Sequence, residues 1–335
     1  MKTKLLLLSV LFSLAACGGN STSSPAPAPA PAPVPVPSPA PSPTACTTSP
    51  VVTKATTYQG VIANGMTGQW QFDTSGSTGS YTWTGGVTSE TLKRDDATCS
   101  YTTNQTGTLR TAFLANGLGV TGIDVNGVQM PVVLVTAPES DLSKVAGTYN
   151  VVRYTTEAAV VTSDYATFNV DTSGNWSTCV SAAYSSSCGG PSGTLSWNVG
   201  GWFDMSLNGT AVGRLYGKNS GSSKVVVVAI YNVISPSDVV GGMWVGVNNT
   251  PFVSGADDGT YISNSTDPST DTVVIAGLTG TVGTQSATLT PNAPVQGTFT
   301  IGASGDVGVL SSLGLYASAE QGTGTNAYFQ VGVKH

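Results

Sequence analysis

This sequence of 335 residues has few charged side chains. Asp, Glu, Lys and Arg together make up 9% of it, against roughly 25% in an average soluble domain. So low a content is not typical of helical proteins, whose solvent-facing sides usually carry Glu, Lys and Arg. No basic run is longer than Lys93-Arg94, and the formal net charge is −6. A polyanion would be repelled, so we predict no nucleic-acid partner.

The residues of common catalytic and metal sites are scarce as well. His335 is the only histidine, so a Ser-His-Asp triad cannot be built in the folded part. The nucleophile-elbow pattern G-x-S-x-G does not occur. CxxC pairs are missing too, and a thiolate-imidazole zinc site is not expected. We therefore predict a protein that is not an enzyme and that carries no cofactor.

Gly, Ser, Thr, Val and Asn take the place of the charged residues. This profile is typical of β-strands joined by tight turns. Eight strands are predicted in the middle of the chain: Gly147 to Tyr154, Tyr165 to Asp171, Asn175 to Ser181, Thr194 to Val199, Trp202 to Leu207, Ala211 to Gly217, Lys224 to Val233 and Met243 to Val247. Their short connections predict an all-β fold of antiparallel meander units in tandem, which form small barrels or, alternatively, sandwiches.

Matching sequence landmarks indicate duplication of one β unit. The first stretch has Trp70-Gln-Phe-Asp-Thr-Ser-Gly76, Cys99, Gly107-Thr-Leu109 and Ile123-Asp-Val-Asn-Gly127; the second has Phe168-Asn-Val-Asp-Thr-Ser-Gly174, Cys188, Gly193-Thr-Leu195 and Met205-Ser-Leu-Asn-Gly209. Phe299 to Val307 resembles the first landmark again, which indicates a third unit. Asp-Thr-Ser-Gly and Asn-Gly supply side-chain oxygens and residues that tolerate positive φ, so both are primarily hairpin turns.

The N-terminus has the pattern of an export signal. Lys2 and Lys4 precede an apolar run from Leu5 to Leu14, which is too short to span a bilayer. Its end, Leu14-Ala15-Ala16-Cys17, resembles the lipobox of bacterial lipoproteins. That resemblance implies cleavage after residue 16, acylation of Cys17 and, with Gly18 following, a lipid anchor in the outer membrane, facing the periplasm or the cell surface. An ordinary secretory leader is the alternative. Without Lys2 and Lys4, ten basic and 18 acidic residues remain, a net charge of −8.

A proline-rich stretch follows the anchor. Proline alternates with small residues from Pro25 to Pro43, which predicts a polyproline II rod of roughly 60 Å at about 3.1 Å per residue. We divide the chain into a signal peptide (1–16), an anchor and linker (17–44), a first β domain (45–138), a second (139–250) and a C-terminal part (251–335) that is either a third domain or an extension of the second.

Four cysteines remain after Cys17. An even number in an exported chain favours disulfides. Of the three possible connectivities we predict Cys46 with Cys99 and Cys179 with Cys188, because the latter two are nine residues apart across a Ser-rich turn.

Two weaker sets of candidate site residues are present. Asp257, Asp258, Asp267 and Asp271 supply the hard oxygens that calcium prefers, but EF-hand spacing is missing and Asp-Gly pairs more often close hairpins. Among six tryptophans, Trp83 and Trp197 lie among small polar residues and are predicted to be exposed ligand contacts. Trp70, Trp176 and Trp202 are expected to pack in the core or at barrel ends.

The segment Leu142-Ser-Lys-Val-Ala-Gly147-Thr-Tyr149 resembles the opening of lipocalin-like barrels, in which an N-terminal segment precedes a Gly-x-aromatic strand. The leading hypothesis is a lipid-anchored envelope or surface protein with a binding, adhesion or structural role towards an extracellular glycan or protein. One alternative is a carbohydrate-binding or glycan-processing protein, which would need an exposed aromatic strip beside convergent carboxylates. The other is a lipocalin-like carrier of a small apolar ligand, which would need an internal cavity.

Overall fold

The computed structural model describes residues 56–335 apart from 76–77, 84–89, 96–99, 104–109, 114–115, 126–127, 158–159, 236–237 and 268–269. Nearly every described element is an antiparallel strand, which confirms the predicted all-β class. The strands form three successive sheets. All three belong to one compact unit.

The first sheet is a closed eight-stranded barrel. It consists of β1 (Thr56–Ile62), β2 (Thr67–Ser75), β3 (Thr78–Trp83), β4 (Glu90–Asp95), β5 (Ser100–Thr103), β6 (Arg110–Phe113), β7 (Leu118–Val125) and β8 (Val128–Val135). Consecutive strands pair as a meander, and β1 pairs with β8, so both edges are satisfied. Closure removes the exposed edges that would otherwise template aggregation.

The middle sheet follows a short helix, α1 (Leu142–Val145). Its strands are β9 (Gly147–Glu157), β10 (Val160–Val170), β11 (Asn175–Val180), β12 (Ser192–Asn198), β13 (Trp202–Leu207), β14 (Thr210–Ser220), β15 (Ser223–Ser235) and β16 (Asp238–Asn248). The sheet curls until β9 pairs with β16 and β10 pairs with both β9 and β11. Each of the eight strands predicted from the sequence is present.

The third sheet is again a closed eight-stranded barrel. Its strands are β17 (Gly259–Ser265), β18 (Thr270–Ala276), β19 (Thr279–Val282), β20 (Gln285–Pro291), β21 (Thr298–Ile301), β22 (Asp306–Leu310), β23 (Leu315–Glu320) and β25 (Tyr328–Lys334). Between the last two, β24 (Gly322–Thr323) leaves the barrel and pairs with β10 of the middle sheet; a 3-10 helix, Gly324–Asn326, then leads back.

Only one of the repeated landmarks occupies an equivalent place. Asp73-Thr-Ser75 ends the second strand of the first barrel, and Asp171-Thr-Ser-Gly174 directly follows the second strand of the middle sheet. The Asn126-Gly127 pair instead separates the seventh and eighth strands, whereas Asn208-Gly209 separates the fifth and sixth. The stretch Phe299 to Val307 also spans a fifth-to-sixth connection. The proposed register of the copies was therefore wrong, because turn chemistry marks any hairpin and not a particular one.

The outer faces of the three sheets meet in one apolar cluster, here called the central core. It comprises Val61, Ala63, Ala112, Leu118, Val120, Val133 and Val135 of the first barrel; Val152, Tyr165, Tyr216, Val225, Val227, Ala229, Met243, Val245 and Val247 of the middle sheet; and Ile262, Val295, Val307, Val309, Leu313, Leu315, Ala317, Ala319, Phe329, Val331 and Val333 of the third barrel. Strands that border it are buried on both faces, since alternate residues belong to the interior of their own sheet.

β15 illustrates this two-sided burial. Every residue from Val225 to Ile230 is buried, with Val226 and Val228 inside the middle sheet and Val225 and Val227 in the central core. Such strands have continuous apolar sequences instead of the alternation of a half-exposed strand.

Polar contacts also join the three sheets. The Asn116 side chain donates to the Leu313 carbonyl at 2.8 Å, which links the first and third barrels. The Arg214 guanidinium donates to Thr67 Oγ1 at 2.8 Å and lies 4.2 Å from the centroid of the Trp202 ring. Asn150 Nδ2, in β9, donates to the Gln296 carbonyl at 2.8 Å. Each of these side chains therefore bridges two sheets.

Helix α1 packs against the interior of the middle sheet. Asp141 caps it by accepting a hydrogen bond from the Ser143 amide at 2.9 Å. Val145 is buried among the inner side chains, and the Tyr149 hydroxyl donates to its carbonyl. The segment that resembles the lipocalin-like opening thus forms a helix before a Gly-x-Tyr strand.

Candidate functional site

A polar groove lies on the outer face of the middle sheet, on β10 to β13 and the turns between them. It has a volume of about 510 Å³. Its lining consists mainly of hydroxyl and amide side chains, with two aromatic residues and one acid: Asn169, Asp171, Asn175, Trp176, Ser177, Tyr184, Ser192, Gly193, Thr194, Ser206, Asn208 and Gly209. We call it the outer groove.

One wall of the outer groove is the segment 181–191 between β11 and β12, here called the disulfide loop. The Cys179–Cys188 disulfide closes it, with a Cα–Cα distance of 5.3 Å. This disulfide was predicted from the sequence, and its presence is confirmed. Within the loop, Tyr184 lies beside β11, where its hydroxyl accepts a hydrogen bond from Ser177 Oγ at 3.2 Å.

Backbone contacts hold the disulfide loop against the sheet. The Tyr165 hydroxyl donates to the Ser181 carbonyl at 2.8 Å, and Thr167 Oγ1 donates to the Ala182 carbonyl at 2.9 Å. At the other end, the Thr178 amide donates to the Pro191 carbonyl at 3.1 Å. A Cβ atom at Gly190 would lie 2.2 Å from the Thr178 carbonyl oxygen, so only glycine allows this approach. The loop is thus fixed at both ends.

Asp171 contributes the negative charge of the groove, but its oxygens are already used. Oδ1 accepts from the amides of Ser173 and Asn175, both at 2.8 Å, and Oδ2 accepts from Asn175 Nδ2 at 2.7 Å. These hydrogen bonds, led by that from the Asn175 side chain, lower the pKa of Asp171. The turn function expected of Asp171-Thr-Ser-Gly174 is its observed function.

The lining sets the chemistry of a ligand. Of the described residues that line the groove, none is Lys or Arg, so the groove offers an anion no partner charge. Hydroxyl and amide groups both donate and accept hydrogen bonds. An uncharged ligand rich in hydroxyl groups matches this lining best.

The two tryptophans predicted to contact a ligand have different outcomes. Trp197 is 40% exposed, and its ring stands edge-on to that of Phe203 with centroids 5.1 Å apart, but it does not line the outer groove. Trp83 is the last residue of β3, and its side chain lies outside the described residues. Trp70 and Trp176 are buried and Trp202 is half-buried, as their packing role requires.

The four aspartates considered for calcium are not brought together. Asp257 and Asp258 precede β17, whereas Asp267 follows it; seven residues at about 3.3 Å each separate the two ends. Asp258 Oδ1 accepts from the Gly277 amide at 2.8 Å and so closes a turn. Asp271 lies in β18, paired with Ser263, and its side chain lies outside the described residues. In the described part of the chain, no three His, Cys, Asp or Glu residues group closely enough to hold a metal ion.

Cys17, Cys46 and Cys99 lie outside the described residues, so the lipidation site and the second disulfide stay predictions. No helix among the residues described has the length and apolar character needed to cross a membrane. His335 lies next to β17, where its amide donates to the Thr260 carbonyl at 2.9 Å. Burial lowers the pKa of its imidazole.

Sequence reasoning missed Tyr184 and Ser192 as candidate contacts. The available signal was an aromatic residue inside a Ser-rich segment closed by a disulfide, because such a loop presents its side chains at a fixed position. No protein-family model matches this chain, and neither a curated protein nor a solved structure matches it.

Proposed function

We propose that this protein is a non-catalytic binding protein, held outside the cytoplasm by a lipid anchor at Cys17, and that the outer groove binds a neutral saccharide. The observation that carries the proposal is the groove itself: about 510 Å³, lined by hydroxyl and amide side chains, with Tyr184 at its wall. Sugar hydroxyls pair with such groups, and an aromatic ring packs against the apolar face of a sugar.

Binding, not hydrolysis, is favoured at this groove. Glycoside hydrolysis takes two carboxyl groups roughly 5 to 9.5 Å apart, one of which holds a proton. Among the described residues of the lining, the only acid is Asp171, whose lowered pKa keeps it ionised and whose oxygens serve the turn. The groove therefore supports recognition of a glycan and not its cleavage.

The site is tested with the purified, lipidated full chain in detergent micelles. The chain is applied to a glycan array, and each bound glycan is then titrated by calorimetry. Tyr184→Ala should weaken binding about tenfold or more, because loss of an aromatic contact in a binding site costs on the order of 1–2 kcal/mol. Ser192→Ala, in the groove, should weaken it a few-fold.

Ser196→Ala is the matched control, since Ser196 is exposed on the same strand and does not line the groove. The Ser196→Ala variant should bind each glycan with the same affinity as the unmodified chain. If no glycan binds, or if the Tyr184 and Ser192 variants bind as tightly as the Ser196 control, the groove is not a saccharide site.

The anchor is tested separately on intact cells. Radiolabelled palmitate should be incorporated into the chain but not into Cys17→Ala, which should be released from the membrane fraction. Protease treatment of intact cells then distinguishes the two orientations, because only a surface-exposed protein is cleaved before the outer membrane is opened. Equal labelling of both chains would contradict lipidation at Cys17.

A further inference from the structure

The interior of the third barrel contains an apolar cavity of about 230 Å³. Val273, Ile275, Leu289, Phe299 and Ile301 line it, and all five belong to the interior cluster of this barrel, on β18, β20 and β21. The cavity is distinct from the outer groove, which lies on another sheet and is polar.

The sequence explains why space remains here. Gly280 and Ala287 pair directly across β19 and β20 and both line the cavity, so this part of the wall contributes almost no side-chain volume. The first barrel and the middle sheet place tryptophan in the corresponding interior, where Trp70 and Trp176 are buried. The third barrel contains no tryptophan at all.

The polar atoms at the cavity are already paired or lie at its rim. The Tyr316 hydroxyl donates to Ser318 Oγ at 2.8 Å and lies 3.3 Å from Gln330 Oε1. Gln285 and Ser286 are exposed at the end of the hairpin, beside Val282, which is 36% exposed. The hairpin end is thus the solvent-exposed rim of the cavity.

We propose that this cavity is a binding site for a small uncharged apolar molecule, such as a monocyclic aromatic hydrocarbon with a short alkyl chain. At the packing density of protein interiors, 230 Å³ accommodates roughly ten non-hydrogen atoms. Apolar cavities of even smaller volume, about 150 Å³, bind benzene. An affinity in the micromolar range is consistent with a ligand of that size.

The test uses the purified full chain, titrated by calorimetry with toluene and with n-butylbenzene. Both should bind, with n-butylbenzene binding more tightly because it buries more apolar surface. Ala287→Leu extends a larger side chain into the cavity and should abolish n-butylbenzene binding. Ala276→Leu is the matched control: Ala276 is exposed on β18 of the same barrel and does not line the cavity, so this variant should bind like the unmodified chain.

A second variant keeps the proposal testable if Ala287→Leu does not fold. Ile301→Ala enlarges the cavity and should increase the relative affinity for n-hexylbenzene over toluene. Circular dichroism and the urea midpoint report folding of each variant. Absence of heat with both hydrocarbons, or equal binding by the Ala287 and Ala276 variants, would overturn the proposal.

Discussion

Phe329 tests whether the three sheets unfold together. Its ring is fully buried in the central core, with its centroid 6.1 Å from that of Tyr154 in the middle sheet. Truncation of a buried phenylalanine to alanine costs about 3–5 kcal/mol, because it removes apolar contacts and leaves a cavity. With a urea dependence on the order of 3 kcal/mol per molar, Phe329→Ala should lower the unfolding midpoint by roughly 1–1.7 M.

The distribution of tryptophan makes the assay selective. All six tryptophans lie between residues 70 and 244, so their fluorescence reports the first barrel and the middle sheet but not the third barrel. Circular dichroism reports all three sheets. If the central core couples them, Phe329→Ala shifts both signals by the same amount, although the substituted residue lies in the third barrel.

Two further variants complete the comparison. Phe299→Ala removes an equally buried ring from the interior of the third barrel, and coupled sheets require it to shift the tryptophan signal too. Val274→Ala, at a residue 38% exposed on β18, should change the stability by no more than about 0.5 kcal/mol. A tryptophan transition that stays at its original midpoint, while circular dichroism shows an earlier separate loss, would refute the coupling.

Three other predictions concern charge, covalent closure and pH. Arg153 Nε and Nη2 lie 2.7 and 2.5 Å from the carboxylate oxygens of Asp164, and the two side chains are 12% and 20% exposed. Asp164→Asn should therefore lower the free energy of unfolding in urea by about 2–4 kcal/mol, and adding Arg153→Met should recover part of this loss. If the effects of the two substitutions simply add, the pairing is contradicted. Cys188→Ser opens a short loop, so it should lower the free energy of unfolding by about 2–3 kcal/mol and weaken ligand binding at the outer groove; a urea midpoint equal to that of the disulfide-bonded chain would contradict this, whereas the reduced and alkylated chain should match the variant. Burial raises the pKa of Tyr216 to about 12, above its unfolded value near 10. The contribution of the neutral phenol to folding stability is therefore complete below pH 10, and up to about 3 kcal/mol of it is lost as the pH rises towards 12. Tyr216→Phe should lose less stability than the unmodified chain over that range, as measured by urea unfolding at each pH.

Some of the site was predictable and some was not. The Cys179–Cys188 disulfide followed from the cysteine spacing and from the expected export of the chain, and the exposure of Trp197 followed from its polar neighbours. The outer groove did not follow, because Asn169, Ser192 and Ser206 come from three different strands. Their side chains share a face only once the pairing register of the strands is set.

The separation of the candidate calcium aspartates has a related reason. Asp257 and Asp267 are close in sequence, but an extended strand places its two ends about 20 Å apart. In a loop the same spacing would have allowed them to meet. Sequence distance is therefore a poor guide to ligand convergence across a strand.

The all-β class, the eight strands of the middle sheet and the hairpin turns were determined by the sequence alone, because alternation of side chains and turn chemistry act over a few residues. Only the tertiary structure decided that β15 and the other strands that border the central core are buried on both faces, and that the outer faces of three sheets share this core. The run from Val225 to Ile230 carries that signal, but it does not say which surface will cover it. Burial against a distant sheet is a property of the assembled chain, since the apolar surface is removed from water only when all three sheets are in place.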